Sequence, residues 1–541
     1  MSSPDLTVLG LDAATLTVVD PLIAAGELPN LARLFGAGSR GTLRSTTHPL
    51  TPHAWTTMVT GVNVGRHGIW DFTERDQSGY RLRVVNGSFR SAPAVWDRLA
   101  VAGRRCGLVN IPFTWPAPAV DGFVVAGFDA AAREQGWTHP PELVRELRER
   151  YGSLELDNRF PLGRDGLVDL EQVRAAAEQK VDAVNWLTER YEPELLFVVF
   201  MAADHVQHLC WDDWERDGLA SPLAETYRIL DAAVGRIVDR LGPERDVLVV
   251  SDHGGGALDG VVNLNAWLAR EGYLSYAGGT ADATRRAADR LFRLRTIVPA
   301  GLRYAIKQRL PGLRERAYES TEWSAIDWTH TRAFSYGTFG NVVVNVRGRE
   351  ADGIVEPGAE YERVRSELAE RALALTDPDG NPIVAAVHRR EDLFDGPHLD
   401  VVPDLLIEFE EYRWLGKGNL KSRATDLYDR IEIEPGSTHS YVGSHRHEGI
   451  VSLTGPSAAA GVELAASIED VAPTILYLLG EPIPAELEGR VLFEALRPGL
   501  LDERPPVYDD TPALERSRPV QAVQADAAEV EERLRGLGYL E

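Results

Sequence analysis

The chain has 541 residues, of which 44% are apolar, enough for one large α/β domain with insertions or for two or three domains. Its 82 acidic residues outnumber 57 basic ones, for a net charge of −25, which argues against duplex nucleic acid or an anionic membrane surface as the main partner. A small phosphorylated substrate stays compatible, because bound metals invert local charge.

The chain enters a strand at about 6–12 without a basic start, apolar stretch or cleavage site. Helical segments follow at about 14–36, then a short strand at 41–46 and a helix from Thr51 to before Gly61. Strands are expected near 107–111 and 123–127. A long helix covers 171–191, where Val173, Ala177, Val181, Val184 and Leu187 recur at helical spacing. A strand (195–203), a helix (222–241) and a strand (246–251) complete an alternation that predicts a mostly parallel sheet sandwiched between helices. Residues 266–335 read as a helical insertion, a lid being one role for it. The α/β core, 1–265, resumes over 336–500 with strands at 341–346, 404–409 and 449–453 and helices at 360–376 and 468–479. Residues 501–541 read as a linker and a terminal helix that docks on its own core, a homo-oligomer being the alternative. No apolar run approaches the ~20 residues of a membrane span. Cys106 and Cys210 read as buried thiols, so the expected compartment is the cytoplasm.

Three acidic residues sit where apolar strands run out: Asp12 after Leu6–Leu11, Asp204 after the run from Leu195, and Asp252 after Val247–Val250. Parallel sheets place chemistry at the carboxyl ends of their strands. Three carboxylates gathered there repel one another unless a cation lies between them. His208 stands four residues after Asp204, on one helical face if the chain is helical there, and His253 follows Asp252. Gly254-Gly255-Gly256 would let the backbone turn sharply at the site. Gly443-Ser444-His445-Arg446-His447 offers a third imidazole before a late strand. Aspartate with histidine and no sulfur suits zinc, with manganese as the alternative. Thr51 opens its helix, a place that usually means a capping hydroxyl. A helix start is also an anion site, and a hydroxyl beside a metal can become a nucleophile.

Taken together, Gly10-Leu11-Asp12, Thr51 to Gly61 followed by His67-Gly68-Ile69, Asp204 with His208, Ser251-Asp252-His253-Gly254 and Gly443-Ser444-His445 resemble the alkaline phosphatase superfamily, in its type I phosphodiesterase/nucleotide pyrophosphatase-like branch. Segments Asn110 to Pro116, Gly353 to Gly358 and Ser467 to Thr474 look like a group of predicted phosphohydrolases or phosphomutases. The resemblance spans about residues 5–500 outside the insertion. It implies one metal held by Asp204, His208 and His445, and a second held by Asp12, Asp252, His253 and the Thr51 oxygen. It further implies that Thr51 is phosphorylated in the course of phosphoric-ester hydrolysis, with a monoesterase or a phosphomutase/phosphotransferase as alternatives. Neither cysteine fits a sulfatase motif.

One departure stands out. Relatives carry an asparagine that grips a phosphoryl oxygen just after His-Gly-Ile, where this chain has Phe72. Asn110, Lys417 and Arg446 are the candidate replacements, and His205 and His447 the residues most easily confused with the true ligands.

Overall fold

The strand Leu6–Leu11 is buried along its whole length, as a near-continuous apolar run demands when both faces of a parallel sheet are covered. It sits near the middle of a nine-stranded sheet ordered 463–467, 39–44, 448–454, 246–250, 6–11, 195–200, 106–109, 122–125 and 138–139. Its two neighbours, Leu195–Phe200 and Asp246–Val250, run parallel to it. Glu448–Thr454 is antiparallel to Asp246–Val250, so its start lies at the edge where the parallel strands end. The computed structural model describes residues 5–75, 79–80, 82–127, 136–152, 161, 163, 167–242, 244–277, 326–418, 426–431 and 441–510.

Two groups of helices flank the sheet. Pro29–Ala37, Leu170–Tyr191, Ala202–Asp217 and Pro222–Leu241 pack in one group, and Thr51–Thr60, Val95–Val101 and Val471–Leu478 in another. The long helices carry side-chain caps at their starts: Asp169 accepts from Glu171 and Gln172, and Ser221 from Ala224. Such caps satisfy amides that have no partner inside the helix. The main core runs through both layers.

Where the α/β core is expected to resume, 448–454 joins the central sheet but two of the other expected strands do not. Asn341–Val344 and Leu405–Phe409 join a separate four-stranded sheet with Ala333–Phe334 and Val384–Arg389, antiparallel throughout. The helix Ala359–Leu373 covers it with Val364, Leu368 and Ala372, and the unit has its own apolar cluster. Local sequence periodicity names a strand but not its sheet. Of the expected insertion, 278–325 lies outside the described residues; Tyr276 and Ile326, on either side of it, form a bridge. The stretch from 501, expected as linker, begins with a helical turn at Leu500–Glu503 and a strand, Tyr508–Asp509, paired with Ile483–Pro484. The expected helix near 525–537 lies outside the described residues.

Candidate active site

Three carboxylates meet because three strands end together. Leu11 is level with Phe200, and Gly10 with Val250. Asp12 follows its strand at once, Asp252 stands two residues beyond Val250, and Asp204 lies in the first turn of Ala202–Asp217. That helix puts His208 on the face of Asp204, with Nε2 3.3 Å from Asp204 Oδ1. His445 arrives on Gly443–Arg446, paired with Gly254–Ala257. Its Nε2 lies 3.4 Å from the same Asp204 oxygen and 3.0 Å from His208 Nε2. On the other side, His253 Nε2 lies 3.7 Å from Asp12 Oδ1 and 3.3 Å from Asp252 Oδ2. The His253 ring stacks on His445 at 3.7 Å, so the two clusters adjoin. His253 is near enough to serve either.

All three imidazoles are oriented the same way. Nδ1 of His208 faces the Gly443 carbonyl at 2.9 Å, that of His445 faces Pro49 at 2.6 Å, and that of His253 faces Gly254 at 3.0 Å. Donation from Nδ1–H leaves each Nε2 as a bare lone pair, the form in which imidazole binds a metal. Two such lone pairs then oppose each other at the His208–His445 contact. Asp12 Oδ1, Asp252 Oδ2, His253 Nε2 and Thr51 Oγ1 are buried without a hydrogen-bond partner. Orphaned buried polar atoms are costly, and the three from Asp12, Asp252 and His253, which cluster, fit a divalent cation held by oxygen and nitrogen donors.

The electrostatics agree. Burial pushes Asp12 well above the usual carboxylate range, repulsion from Asp252 and Asp204 adds to it, and the Trp55 hydrogen bond opposes it. Burial and Asp204 raise Asp252 as well. Burial would also raise Asp204, which is held well below the usual range only while His208 and His445 turn proton-bearing Nε2 atoms to it; in the metal-binding tautomer a cation would take that place. Burial, then His445, keeps His253 neutral. The site carries more negative charge than it can neutralise by itself.

Thr51 is the first residue of the helix Thr51–Thr60, and the cap position, Leu50, offers no side-chain bond. The Thr51 hydroxyl is therefore not a cap, and it is fully buried. Four residues on, Trp55 donates from Nε1 to Asp12 Oδ2 at 2.7 Å. Gln207 donates to Asp204 Oδ1 at 3.1 Å. Both orienting residues were missed in the sequence, although helical spacing from Thr51 and Asp204 could have pointed to them. Gly254, Gly255 and Gly256 are not turn formers. They lie in a strand, where a Cβ would strike the Glu448 carbonyl, Gln207 and the Arg446 guanidinium respectively.

The substrate-binding candidates separate. Phe72 is buried in the main core beside Phe113. Arg446 does not face the site: its guanidinium donates to the carbonyls of Tyr412, His445 and Ala257, which pins the strand carrying His445. Asn110 is buried at the carboxyl end of Cys106–Val109 with φ 58°. Lys417 ends the strand Trp414–Lys417, half-buried, and its charge is felt at His208. His447 instead bonds Glu408 at 3.1 Å, and His205 lies one residue past Asp204 in the helix, off the face of His208. A cavity of about 380 Å³ farther along the same helix is lined by Trp211, Asp212, Glu215, Asp259 and Trp414. Its carboxylates repel a phosphate, and it contains none of the clustered ligands.

A carboxylate–imidazole pair of clusters at the carboxyl edge of a helix-flanked parallel sheet, with a buried hydroxyl opening the helix whose Trp55 bonds Asp12, fits an alkaline-phosphatase-like hydrolase. The family model described as type I phosphodiesterase / nucleotide pyrophosphatase matches residues 6–445, and the chain belongs to that family. It is a hydrolase of phosphoric ester bonds. Compared with curated protein sequences, the chain has no match. Among solved structures it is similar to phosphonoacetate hydrolase from Sinorhizobium meliloti 1021 in complex with phosphonoformate, with TM-score 0.51 and 14% identity over 88% of this chain and 95% of that one. It is also similar to murine ectonucleotide pyrophosphatase/phosphodiesterase 5, an inactive threonine-to-alanine variant in complex with AMP, with TM-score 0.50 and 14% identity over 91% and 100% of the two chains. No helix among the described residues is long and apolar enough to cross a membrane.

Proposed function

We propose that the chain hydrolyses phosphoric diesters or pyrophosphates of small molecules through a phosphothreonine at Thr51, with two divalent cations. The carrying observation is the Thr51 hydroxyl, buried and without a partner, one helical turn before Trp55, whose indole bonds Asp12. Asp204, His208 and His445 would hold one cation, and Asp12, Asp252, His253 and Thr51 the other. Zinc suits this donor set, with manganese as the alternative. When bound, the pair would supply the positive charge that makes the hydroxyl acidic and the leaving oxygen stable.

The residues do the rest. Trp55 and Gln207 hold Asp12 and Asp204 in place. The helix start at Thr51 would offer the amides of Thr51 and His53, Pro52 having none, to a phosphoryl group. The Oγ1–P bond forms as the bond from phosphorus to the leaving oxygen breaks, and the leaving group takes up the proton lost by Thr51. Water then cleaves the phosphothreonine and restores the hydroxyl. The murine neighbour, inactive as a threonine-to-alanine variant, supports this reading. Phe72, buried in the core, favours the second reading, a monoesterase or a phosphoryl transfer to another acceptor. Cys106 and Cys210 are both buried and free, which supports a reducing compartment such as the cytoplasm.

The test is turnover of bis-p-nitrophenyl phosphate, p-nitrophenyl thymidine monophosphate and p-nitrophenyl phosphate, with zinc or manganese, by wild type and Thr51→Ala. Diester turnover that vanishes in the variant is expected. Monoester turnover alone would replace the first reading by the second, and diester turnover that survives in Thr51→Ala would remove the nucleophile.

A further inference from the structure

We infer that His48 donates a hydrogen bond from Nε2–H to a phosphoryl oxygen of the substrate, in the role left open at Phe72. The inference rests on the phosphoryl-hydrolase reading and adds a binding residue to it.

His48 lies three residues before Thr51 and is fully buried. The Tyr412 hydroxyl accepts the His48 backbone N–H at 3.2 Å and stands 3.3 Å from His48 Nδ1. Having accepted from the amide, the phenol places its own proton on Nδ1, since the opposite choice would leave a buried O–H without an acceptor. The imidazole proton then belongs on Nε2, and that atom is buried without a partner. Burial pushes the ring down to about 3, so it is a neutral donor at ordinary pH.

The position is held on purpose by its surroundings. His48 has φ 51°, and Glu411 and Tyr412 have φ 46° and 48°, so three left-handed non-glycine residues meet at this one contact. Such conformations persist only where neighbouring structure enforces them, and they gather at functional sites. The next residue, Pro49, accepts the hydrogen bond that orients His445. Phe339 contacts both the His48 and the His445 rings, at 6.2 and 5.4 Å. The ring thus lies three residues before Thr51 along the chain and shares the Phe339 ring with His445. Trp70, with its centroid 5.7 Å away, closes another side. A fully buried N–H donor in such a place is what a phosphoryl oxygen needs as its charge develops.

The test compares wild type with His48→Ala and Tyr412→Phe, all loaded with zinc. It reads orthovanadate binding by calorimetry, kcat and KM for bis-p-nitrophenyl phosphate, and metal content. His48→Ala should bind vanadate at least about 10-fold more weakly and lose roughly 10²-fold in kcat, at unchanged metal content. Tyr412→Phe keeps the imidazole but releases its tautomer, and should show a smaller loss in both. Vanadate affinity unchanged in His48→Ala would overturn the inference, as would losses that merely track lost metal, which would make His48 a support for Pro49 and His445. Wild type that hydrolyses the diester while His48→Ala matches it removes only His48. Wild type that neither binds vanadate nor turns over removes the functional reading as well.

Discussion

Trp55→Phe tests whether the geometry around Asp12 is what prepares the site. The indole donates to Asp12 Oδ2 at 2.7 Å, and both residues are fully buried. A hydrogen bond to a charged group is worth about 1.5–3 kcal/mol, and an outer residue that orients a metal ligand carries about 10–100-fold in metal affinity. Phenylalanine keeps most of the apolar ring against Phe197, so the fold should lose only about 1–2 kcal/mol from the unfilled volume. The expected result is a folded protein whose affinity for a divalent cation, measured by competition with a chromophoric chelator, falls about 10–100-fold. Gly10 supplies an independent route to the same defect. A Cβ there would approach Trp55 Cη2 to 2.5 Å and Val199 Cγ2 to 2.9 Å, so Gly10→Ala should displace the indole and give the same metal phenotype. Folded Trp55→Phe protein with wild-type metal affinity would refute the argument that Asp12 depends on this donor.

Thr51→Ala should lower kcat by more than about 10³-fold, the scale of losing a nucleophile, while the Asp204 cluster still takes up metal; retained turnover in a steady-state assay would contradict this. Burial raises Asp71 to about 7, against a bond from the Phe72 amide. Its folded value exceeds the unfolded value of about 3.9, so stability is lost as pH rises from about 4 through 7, by up to roughly 4 kcal/mol. Asp71→Asn should therefore match wild type in melting temperature near pH 4 and exceed it increasingly up to pH 7–8, and parallel curves would refute the assignment. Asp404 is buried and accepts from Arg349 at 2.6 Å through each oxygen, from Val344 at 2.7 Å and from Tyr361 at 2.7 Å. Asp404→Ala should cost about 1.5–3 kcal/mol in urea unfolding by removing these charge-assisted bonds, since Arg349 keeps Glu350 at 2.8 Å; an unchanged unfolding midpoint would contradict this. Chelation should abolish activity and lower the melting temperature reversibly, by up to ~4 kcal/mol equivalent at metal near a thousand times Kd; a melting curve indifferent to chelator would argue against bound metal.

Most of the clustered residues could be named from the chain because each is tied to a local pattern. Asp12 and Asp252 each end an apolar run, His208 follows Asp204 at helical spacing, and Thr51 opens a helix. Period and punctuation are local quantities, so they survive in a linear string. What they could not give is direction. Arg446 adjoins His445 in sequence, yet its guanidinium is spent on backbone carbonyls. The glycines after His253 read locally as a turn and are instead places where Gln207, Arg446 and Glu448 come too close for a side chain.

The amino-acid sequence by itself determined the strand–helix alternation, the strand ends that carry the carboxylates, and the family. The tertiary structure alone decided that Asn341–Val344 and Leu405–Phe409 leave the central sheet, because an apolar run satisfies any sheet that buries it. It alone decided the tautomers of His208, His253 and His445, through carbonyls at Gly443, Gly254 and Pro49. It also decided the pairing of His48 with Tyr412 across 364 positions, a contact that leaves no trace in local spacing because only packing between distant segments makes it.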